Sequence, residues 1–318
     1  MARTLLKRRV PAIISASRLT DIPRFYAEWF ANRRRAGYCH SANSFGGRYF
    51  ISLRREDVLG YLFWTRDARP LLPEITSIRR EGVPVVVQFT ITSYGRELEH
   101  HRVPLEEQIE SFQMVARELP DPSSIQLRYD PLLVGGEYTE GWHEEKLGQI
   151  CQALRGQTLV VNTSVCEPYV TVVSRIEQLL PARYRTPDPR RHPTTVKRFP
   201  RLQTLDPPDI LRRVSDVAHA HGMELRVCAN PEISCAHSFP AAQCCGLELF
   251  ADYPSGCMQE LVNTLLGPSR AGCRCLATSD IGMGDTCPAG CLYCYVTGAL
   301  AKSRNFFERH DPNAEGIR

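Results

Sequence analysis

The sequence predicts an α/β protein, a (β/α) barrel of the TIM type that is complete or partly open. Three observations predict it. Short apolar runs alternate with stretches of helical period, giving six or seven βα units in about 230 residues. The runs at 83–89 and 159–161 are apolar without strict alternation, as strands covered on both faces are. Polar and charged residues gather where the runs end, as they do at the mouth of a barrel. A doubly wound open sheet is the alternative, and no fixed-period repeat is present.

In chain order the expected strands are 12–16, 37–40, 60–64, 84–92, 124–129, 158–163 and 224–229. The helix expected at 25–35 follows Thr20-Asp21-Ile22-Pro23, where Thr or Asp caps and Pro opens the first turn. Leu105, Ile109, Phe112 and Val115 repeat at helical period within 104–118. The stretches 141–154, 169–180 and 208–221 read the same way. A Pro- and Arg-rich basic segment, 181–208, interrupts the pattern and reads as an insertion, either a solvated loop or a lid that contacts phosphate. The chain therefore divides into a barrel, 1–227, and a cysteine-rich segment, 228–318.

Composition narrows the class. The chain has 318 residues, 43% apolar and 23% charged, which excludes wholesale disorder and permits a sizeable core. Net charge is only +4, yet 35 of the 39 basic residues are Arg. Codon bias explains that excess, and anion binding is the sharper alternative. No apolar run is long enough to span a membrane. The apolar stretch 11–15 after the basic start is too short for a signal peptide, so a cytoplasmic protein is expected. Ten of the 13 cysteines lie between Cys228 and Cys294, and an odd count in a chain of this size argues for metal over disulfides.

The sharpest motif is Cys287-Pro-Ala-Gly-Cys291-Leu-Tyr293-Cys294. Three thiols at C-x3-C-x2-C fit one tight loop, which Pro288 and Gly290 allow to turn. Soft thiolates suit an iron–sulfur cluster, and three ligands on four irons leave one iron open for chemistry. Two other readings compete. One is a zinc ribbon joining Cys273 and Cys275 to two of the later thiols; the other is inert buried cysteine.

These residues resemble the C-x3-C-x-aromatic-C signature of radical S-adenosylmethionine (SAM) enzymes, with Tyr293 in the aromatic position. In that superfamily the open iron of a 4Fe-4S cluster binds SAM, and one electron cleaves it to methionine and a 5′-deoxyadenosyl radical that takes a hydrogen atom from substrate. The resemblance implies Cys287, Cys291 and Cys294 as cluster ligands and Tyr293 near the adenine. Here the motif follows the barrel pattern instead of opening it. That order is similar to the domain of unknown function 1848 family, through Ile14-Ser15-Ala16-Ser17-Arg18-Leu19-Thr20-Asp21-Ile22-Pro23, Phe63-Trp64-Thr65-Arg66-Asp67-Ala68-Arg69-Pro70, Gln88-Phe89-Thr90, Arg128-Tyr129-Asp130-Pro131 and Asp280-Ile281-Gly282. This chain carries Arg66-Asp67 where the resemblance leads one to expect Lys-Asn. Cys228, Cys257, Cys273 and Cys275 also fall where that family places cysteine, implying a second 4Fe-4S cluster or a structural zinc. Cys235, Cys244 and Cys245 are reserve ligands; Cys39, Cys151 and Cys166 are ordinary core or surface residues.

The strand ends supply candidate pocket residues. Arg18 and Arg128 would hold carboxylate or phosphate, with Asp21 and Asp130 pairing with them or orienting substrate. Thr65 and Gln88 are the further cofactor-binding candidates. Capping by Asp21 and a simple turn at Asp130 are the plainer readings. Gly135-Gly136-Glu137 resembles the Gly-Gly-Glu of radical SAM enzymes but precedes the cysteine loop, and a turn explains it equally well. The expected partners are a flavodoxin- or ferredoxin-type electron donor and a small-molecule substrate. A nucleic-acid substrate is the alternative, motivated by 183–201 and by Arg33-Arg34-Arg35.

Overall fold

The computed structural model describes residues 6–7, 12–42, 47–166, 169–179, 207–228, 238–246, 249 and 273–317. Strands β1 (Leu6–Lys7) and β2 (Ala12–Ala16) lead through α1 (Ile22–Phe25) and α2 (Ala27–Ala36) to β3 (Tyr38–Ala42) and β4 (Arg48–Ser52). Then follow β5 (Val58–Thr65), α3 (Leu72–Arg80), β6 (Val85–Thr90), α4 (Leu105–Glu118), β7 (Ile125–Arg128), α5 (Glu140–Ala153) and β8 (Val160–Thr163). The chain continues with α6 (Val170–Leu179), α7 (Pro207–Ala220), β9 (Glu224–Val227), β10 (Ser279–Asp280) and α8 (Leu300–Glu308).

Seven strands form one parallel sheet in the order β10-β2-β5-β6-β7-β8-β9. From β2 to β9 the order follows the chain, the winding of a (β/α) barrel. Among the described residues the edge strands β9 and β10 do not pair with each other, so the sheet is open. The expected strand at 37–40 is β3, and it leaves this sheet. It pairs antiparallel with β4, which pairs parallel with β1, in a separate three-stranded sheet. Gly37, left-handed at φ 79°, ends α2 and turns the chain directly into β3, which the antiparallel pairing with β4 commits to the small sheet.

Alternation along each strand sorts the two faces of the large sheet. Ile14, Ala16, Tyr61, Phe63, Val87, Phe89, Leu127 and Val161 point to the helical side, against Trp29, Phe30, Ile75, Phe112, Ile150 and Leu211. Burying each such side chain contributes roughly 1.5–3 kcal/mol before chain entropy is counted. The opposite face is mixed. Ile13, Leu62 and Val86 pack against Cys245, Leu249 and Leu276. Beside them Ser15, Gln88, Gln126, Arg128 and Asn162 are buried polar groups. The apolar runs lack strict alternation because both faces are covered.

The C-terminal segment is woven into this frame. β10 pairs with β2, Tyr26 Oη donates to the Thr286 carbonyl at 2.6 Å, and Trp29 Nε1 donates to the Ala314 carbonyl at 2.9 Å. Among the described residues no helix is long and apolar enough to cross a membrane. Most of the 181–208 insertion, together with Cys235 and Cys257, lies outside the described residues.

Candidate functional site

The cysteine loop lies over the carboxyl ends of β2, β5 and β6. Its backbone runs beside the segment that follows β6. Leu292 N–H donates to the Leu98 carbonyl at 2.9 Å, His101 N–H to that of Ala289 at 3.2 Å, and Glu99 forms an antiparallel bridge with Cys291. Gly290 sits at φ 74°, and a Cβ there would meet Cβ of His100 at 3.0 Å. Only glycine suits both the turn and the close approach. From α6, Arg175 donates to the Cys291 carbonyl at 3.5 Å and to the Cys294 carbonyl.

Cys287, Cys291 and Cys294 feel one another's charge but make no thiol-to-thiol hydrogen bond that the structure records. Burial pushes the Cys287 thiol up to about 11 and the Cys291 thiol up to about 12. Such thiols become thiolates when a cationic centre replaces the proton. Among the described residues no three His, Cys, Asp or Glu side chains converge on a position for a single ion. Three neighbouring thiols of one loop could hold a cluster, which spans more space than one ion.

A buried network positions the loop. Arg66 Nη1 donates to Thr92 Oγ1 and Glu99 Oε2, each at 3.1 Å, and Nη2 to Tyr293 Oη at 2.5 Å. Thr92 and Tyr293 both donate to Glu99. Burial opposes the charge on Arg66, but Glu99 and Tyr293 outweigh it and hold the guanidinium protonated. Tyr293 therefore commits its hydroxyl to this network, while its ring packs on Tyr94. The Arg66-Asp67 pair also separates here: Asp67 turns away to accept from Arg69 at 2.7 and 2.9 Å.

Asp21 both caps and joins. It accepts from Arg24 N–H at 3.2 Å, Thr65 Oγ1 at 2.7 Å and Arg66 N–H at 3.0 Å, while its own N–H contacts Cys287. Burial pushes its carboxyl up to about 6 against those hydrogen bonds. Thr65 thus orients Asp21. Arg18 is partly exposed, 3.8 Å from Asp280. Sequence reasoning gave Asp280 no role. Its carboxylate accepts from Ser15 at 2.9 Å, Ser17 at 2.5 Å, Arg18 N–H at 3.0 Å and Gly282 N–H at 2.9 Å. The short pairing of β10 with β2 brings these residues together from 263 positions apart, and only the Asp-Ile-Gly tripeptide hinted at it.

On the mixed face Gln88 Nε2 donates to Gln126 Oε1 at 2.7 Å and to the Cys244 carbonyl at 3.0 Å. Asn162 Nδ2 donates to Gln126 at 2.8 Å, leaving Asn162 Oδ1 buried without a protein partner. Arg128 lies over the Trp64 ring at 5.1 Å, pairs with Asp130 at 2.5 Å and donates to Cys244 Sγ at 2.9 Å. Ser164 also donates to Asp130.

A second set of thiols meets this face in a row. Cys228 bonds Cys244, Cys244 bonds Cys275, and Cys275 bonds Cys273. Cys244, a reserve ligand by sequence, occupies the middle of this row. No disulfide links the described cysteines. Cys39 and Cys151 are buried in β3 and α5, apart from either set, whereas Cys166, after β8, is buried in the cluster that holds Tyr293 and against which Cys291 packs.

Two remaining motifs resolve locally. Gly135 and Tyr138 exchange backbone hydrogen bonds at 3.0 and 3.1 Å, so Gly135-Gly136-Glu137 forms a turn. Of the three consecutive arginines, Arg34 is taken up by Glu74 and Glu81, Arg33 is buried near the Tyr38 ring, and Arg35 bonds Asn32. Arg34 and Arg35 line a recess with Val58 and Val83, at the strand ends opposite the cysteine loop.

The family model described as Domain of unknown function (DUF1848) matches residues 13–296. No curated protein matches the chain.

Proposed function

The chain belongs to the DUF1848 family, and from that premise we propose that it is an enzyme of the radical SAM type. Cys287, Cys291 and Cys294 would hold a four-iron four-sulfur cluster, and the polar face of the sheet would hold the substrate. The observation that carries this reading is the loop itself. Three thiols of one turn lie close enough to feel one another's charge, over the carboxyl ends of a parallel sheet.

When bound, the cluster with one open iron holds SAM and supplies the electron that cleaves it to a hydrogen-abstracting radical. The protein's part is placement and exclusion of water. Leu98–His101 and Arg175 fix the loop, and the Arg66–Glu99–Tyr293 network fixes the aromatic residue within it. Arg66 and Arg175 add positive charge beside a site that gathers thiolates. Asp21, poised near pH 6 and touching Cys287, is placed to accept an ammonium or hydroxyl of a bound molecule. On the mixed face Asn162 Oδ1 is a buried acceptor whose neglect costs about 1–3 kcal/mol; a donor on the substrate would satisfy it. We read the chain-ordered sheet as the greater part of a (β/α) barrel. Its reduced cysteines suit a cytoplasmic protein that receives electrons from a flavodoxin or ferredoxin.

The test is anaerobic reconstitution with iron and sulfide, then dithionite and SAM. A brown protein that forms 5′-deoxyadenosine, and loses that activity as Cys291→Ala, is the expected result. A colourless protein, or a brown one that leaves SAM intact, overturns the proposal.

A further inference from the structure

Beyond the end of β9 the thiols follow one another in a fixed order. Val227 exchanges backbone hydrogen bonds with the segment at 240–242, giving and receiving at 2.8 Å, which brings Cys228 against Cys244. Leu276 N–H donates to the Cys245 carbonyl at 2.8 Å, which brings Cys275 against the other side of Cys244. Cys275 in turn contacts Cys273. Cys244 is buried, whereas Cys228, Cys273 and Cys275 are partly exposed, and no disulfide joins them. Beside the row, Cys245, Leu249 and Leu276 cover Ile13, Leu62 and Val86 of the sheet.

A row is the wrong shape for an ion, which needs its ligands around one point, and among the described residues no such point exists. A row suits thiol–disulfide exchange. There an attacking sulfur, a central sulfur and a leaving sulfur must be neighbours in that order, as Cys228, Cys244 and Cys275 are. S–H is a weak donor and sulfur a weak acceptor, so hydrogen bonds alone hold these segments together only loosely. At Cys244 the hydrogen bond from Cys228 favours the thiolate and Cys275 and burial disfavour it. Arg128, donating to Sγ at 2.9 Å, favours it, and the thiol is held above its ordinary range. The row therefore reacts slowly and stays reduced unless the oxidising supply is sustained.

We infer that Cys228, Cys244 and Cys275 form a redox-sensitive clasp: a single disulfide on Cys244 that exchanges between Cys275 and Cys228. The oxidant is a small-molecule disulfide, R–S–S–R. The thiolate of partly exposed Cys275 attacks one of its sulfurs and releases one R–SH. Cys244 then displaces the second R–SH and closes Cys244–Cys275. Two protein thiols give up two electrons and two protons, and the small disulfide becomes two thiols. Cys228 next displaces Cys275 from Cys244, and its proton passes to Cys275. In its first position the clasp ties the 241–246 segment to 273–276. In its second it ties 241–246 to the end of β9. Both positions fix the cover over the mixed face of the sheet, and both join residues far apart in sequence, where closure removes the most chain entropy.

The test incubates the full-length, unmutated chain with oxidised glutathione, quenches by alkylation and maps the linkages by mass spectrometry. A single disulfide is expected in the row, shared between Cys244–Cys275 and Cys228–Cys244 and reversed by dithiothreitol. Alkylation of Cys244 is expected to be lost, and that of Cys228 and Cys275 to fall in proportion to the two linkages. Cys275→Ser is expected to move the disulfide wholly to Cys228–Cys244, and Cys228→Ser wholly to Cys244–Cys275. Amide hydrogen exchange at 242–246 and 275–276 is expected to slow on oxidation. A row that stays reduced, a Cys244 left unlinked or capped by glutathione, or amide exchange indifferent to oxidation each overturns the inference. So does zinc or iron retained on these thiols after dialysis. The clasp does not rest on SAM chemistry: failed SAM cleavage leaves it standing, and a failed clasp leaves SAM cleavage untouched.

Discussion

Two groups of cysteines meet the same sheet in different ways. The terminal loop draws its three thiols from eight consecutive residues, 287–294. The row at β9 draws four from three separated segments and puts them in contact. The loop has an internal frame of turn, glycine and backbone bridge, so its spacing survives without a centre. The row has only the lacing of its segments. A local ligand set can leave a coordination position open; a set gathered from distant segments gains most by closing, since closure of long loops removes the most chain entropy.

The sharpest way to break this contrast is to exchange one ligand from each group. Cys291→Ala is expected to lose bound iron and all 5′-deoxyadenosine formation. Cys244→Ser is expected to keep its iron after reconstitution and to form 5′-deoxyadenosine. Iron analysis and the SAM-cleavage assay of both variants decide. If Cys244→Ser also loses iron, the two groups are one site and the contrast fails.

Next in size is the arginine that serves the row. Arg128 is buried between Asp130, Trp64 and Cys244. Arg128→Met is expected to cost about 2–4 kcal/mol, because it leaves the half-buried Asp130 carboxylate without its cation. Adding Asp130→Asn should recover most of that loss. Urea unfolding of the single and double variants measures both. A loss under about 1 kcal/mol would make the pair no more than an exposed ion pair.

Those two sets were unequally legible in the sequence. The loop could be read directly because its ligands, its turn-forming Pro288 and Gly290, and its aromatic Tyr293 all lie within one window. The helices at 104–118, 141–154 and 208–221 were legible for the same reason: their signal is local period. Cys244 was not, because its partners are fixed by backbone bonds to Val227 and Leu276, and no spacing rule carries that. Asp280 was hidden likewise, since a two-residue strand has no pattern of its own. The 37–40 stretch has the look of a strand, and only its pairing with β4, a partner of no distinctive pattern, decides which sheet receives it. Arg66 was marked as a departure, but its tie to Glu99 and Tyr293 needs the fold.

Acid probes the seam between the groups. His143 on α5 donates through Nε2 to the Leu133 carbonyl, which can only accept, so Nδ1 accepts from Tyr129 Oη at 2.8 Å. Leu133 packs in the cluster around Tyr293, and Tyr129 lies between Arg128 and Asp130 in sequence. Burial pushes the imidazole down to about 4, so the folded chain holds it neutral. The unfolded chain binds that proton near pH 6.5, hence between those values the unfolded state carries more protons and stability rises with pH. The contribution is fully present above pH 6.5 and is lost on going down through pH 4, roughly 3 kcal/mol in all. Subtracting the pH profile of His143→Gln from that of the unmutated chain isolates it. A difference that is flat from pH 7 to pH 4 would mean that His143 titrates normally, leaving the seam without an acid-sensitive group.

The smallest expected effect tests whether the loop carries its own frame. Gly290→Ala imposes a side chain at φ 74° and sets a Cβ at 3.0 Å from that of His100. The backbone part costs roughly 1–2 kcal/mol; crowding adds to it unless His100 shifts. His100→Ala does not relieve that contact, because the clash is with Cβ, whereas His100→Gly does. The double variant Gly290→Ala/His100→Gly should therefore regain only the crowding part relative to His100→Gly alone. If the frame is local, Gly290→Ala weakens iron retention and leaves the alkylation rate of Cys244 and Cys275 unchanged. If those thiols become more reactive with it, strain at the loop reaches the row through the sheet, and the two groups are coupled although they share no ligand.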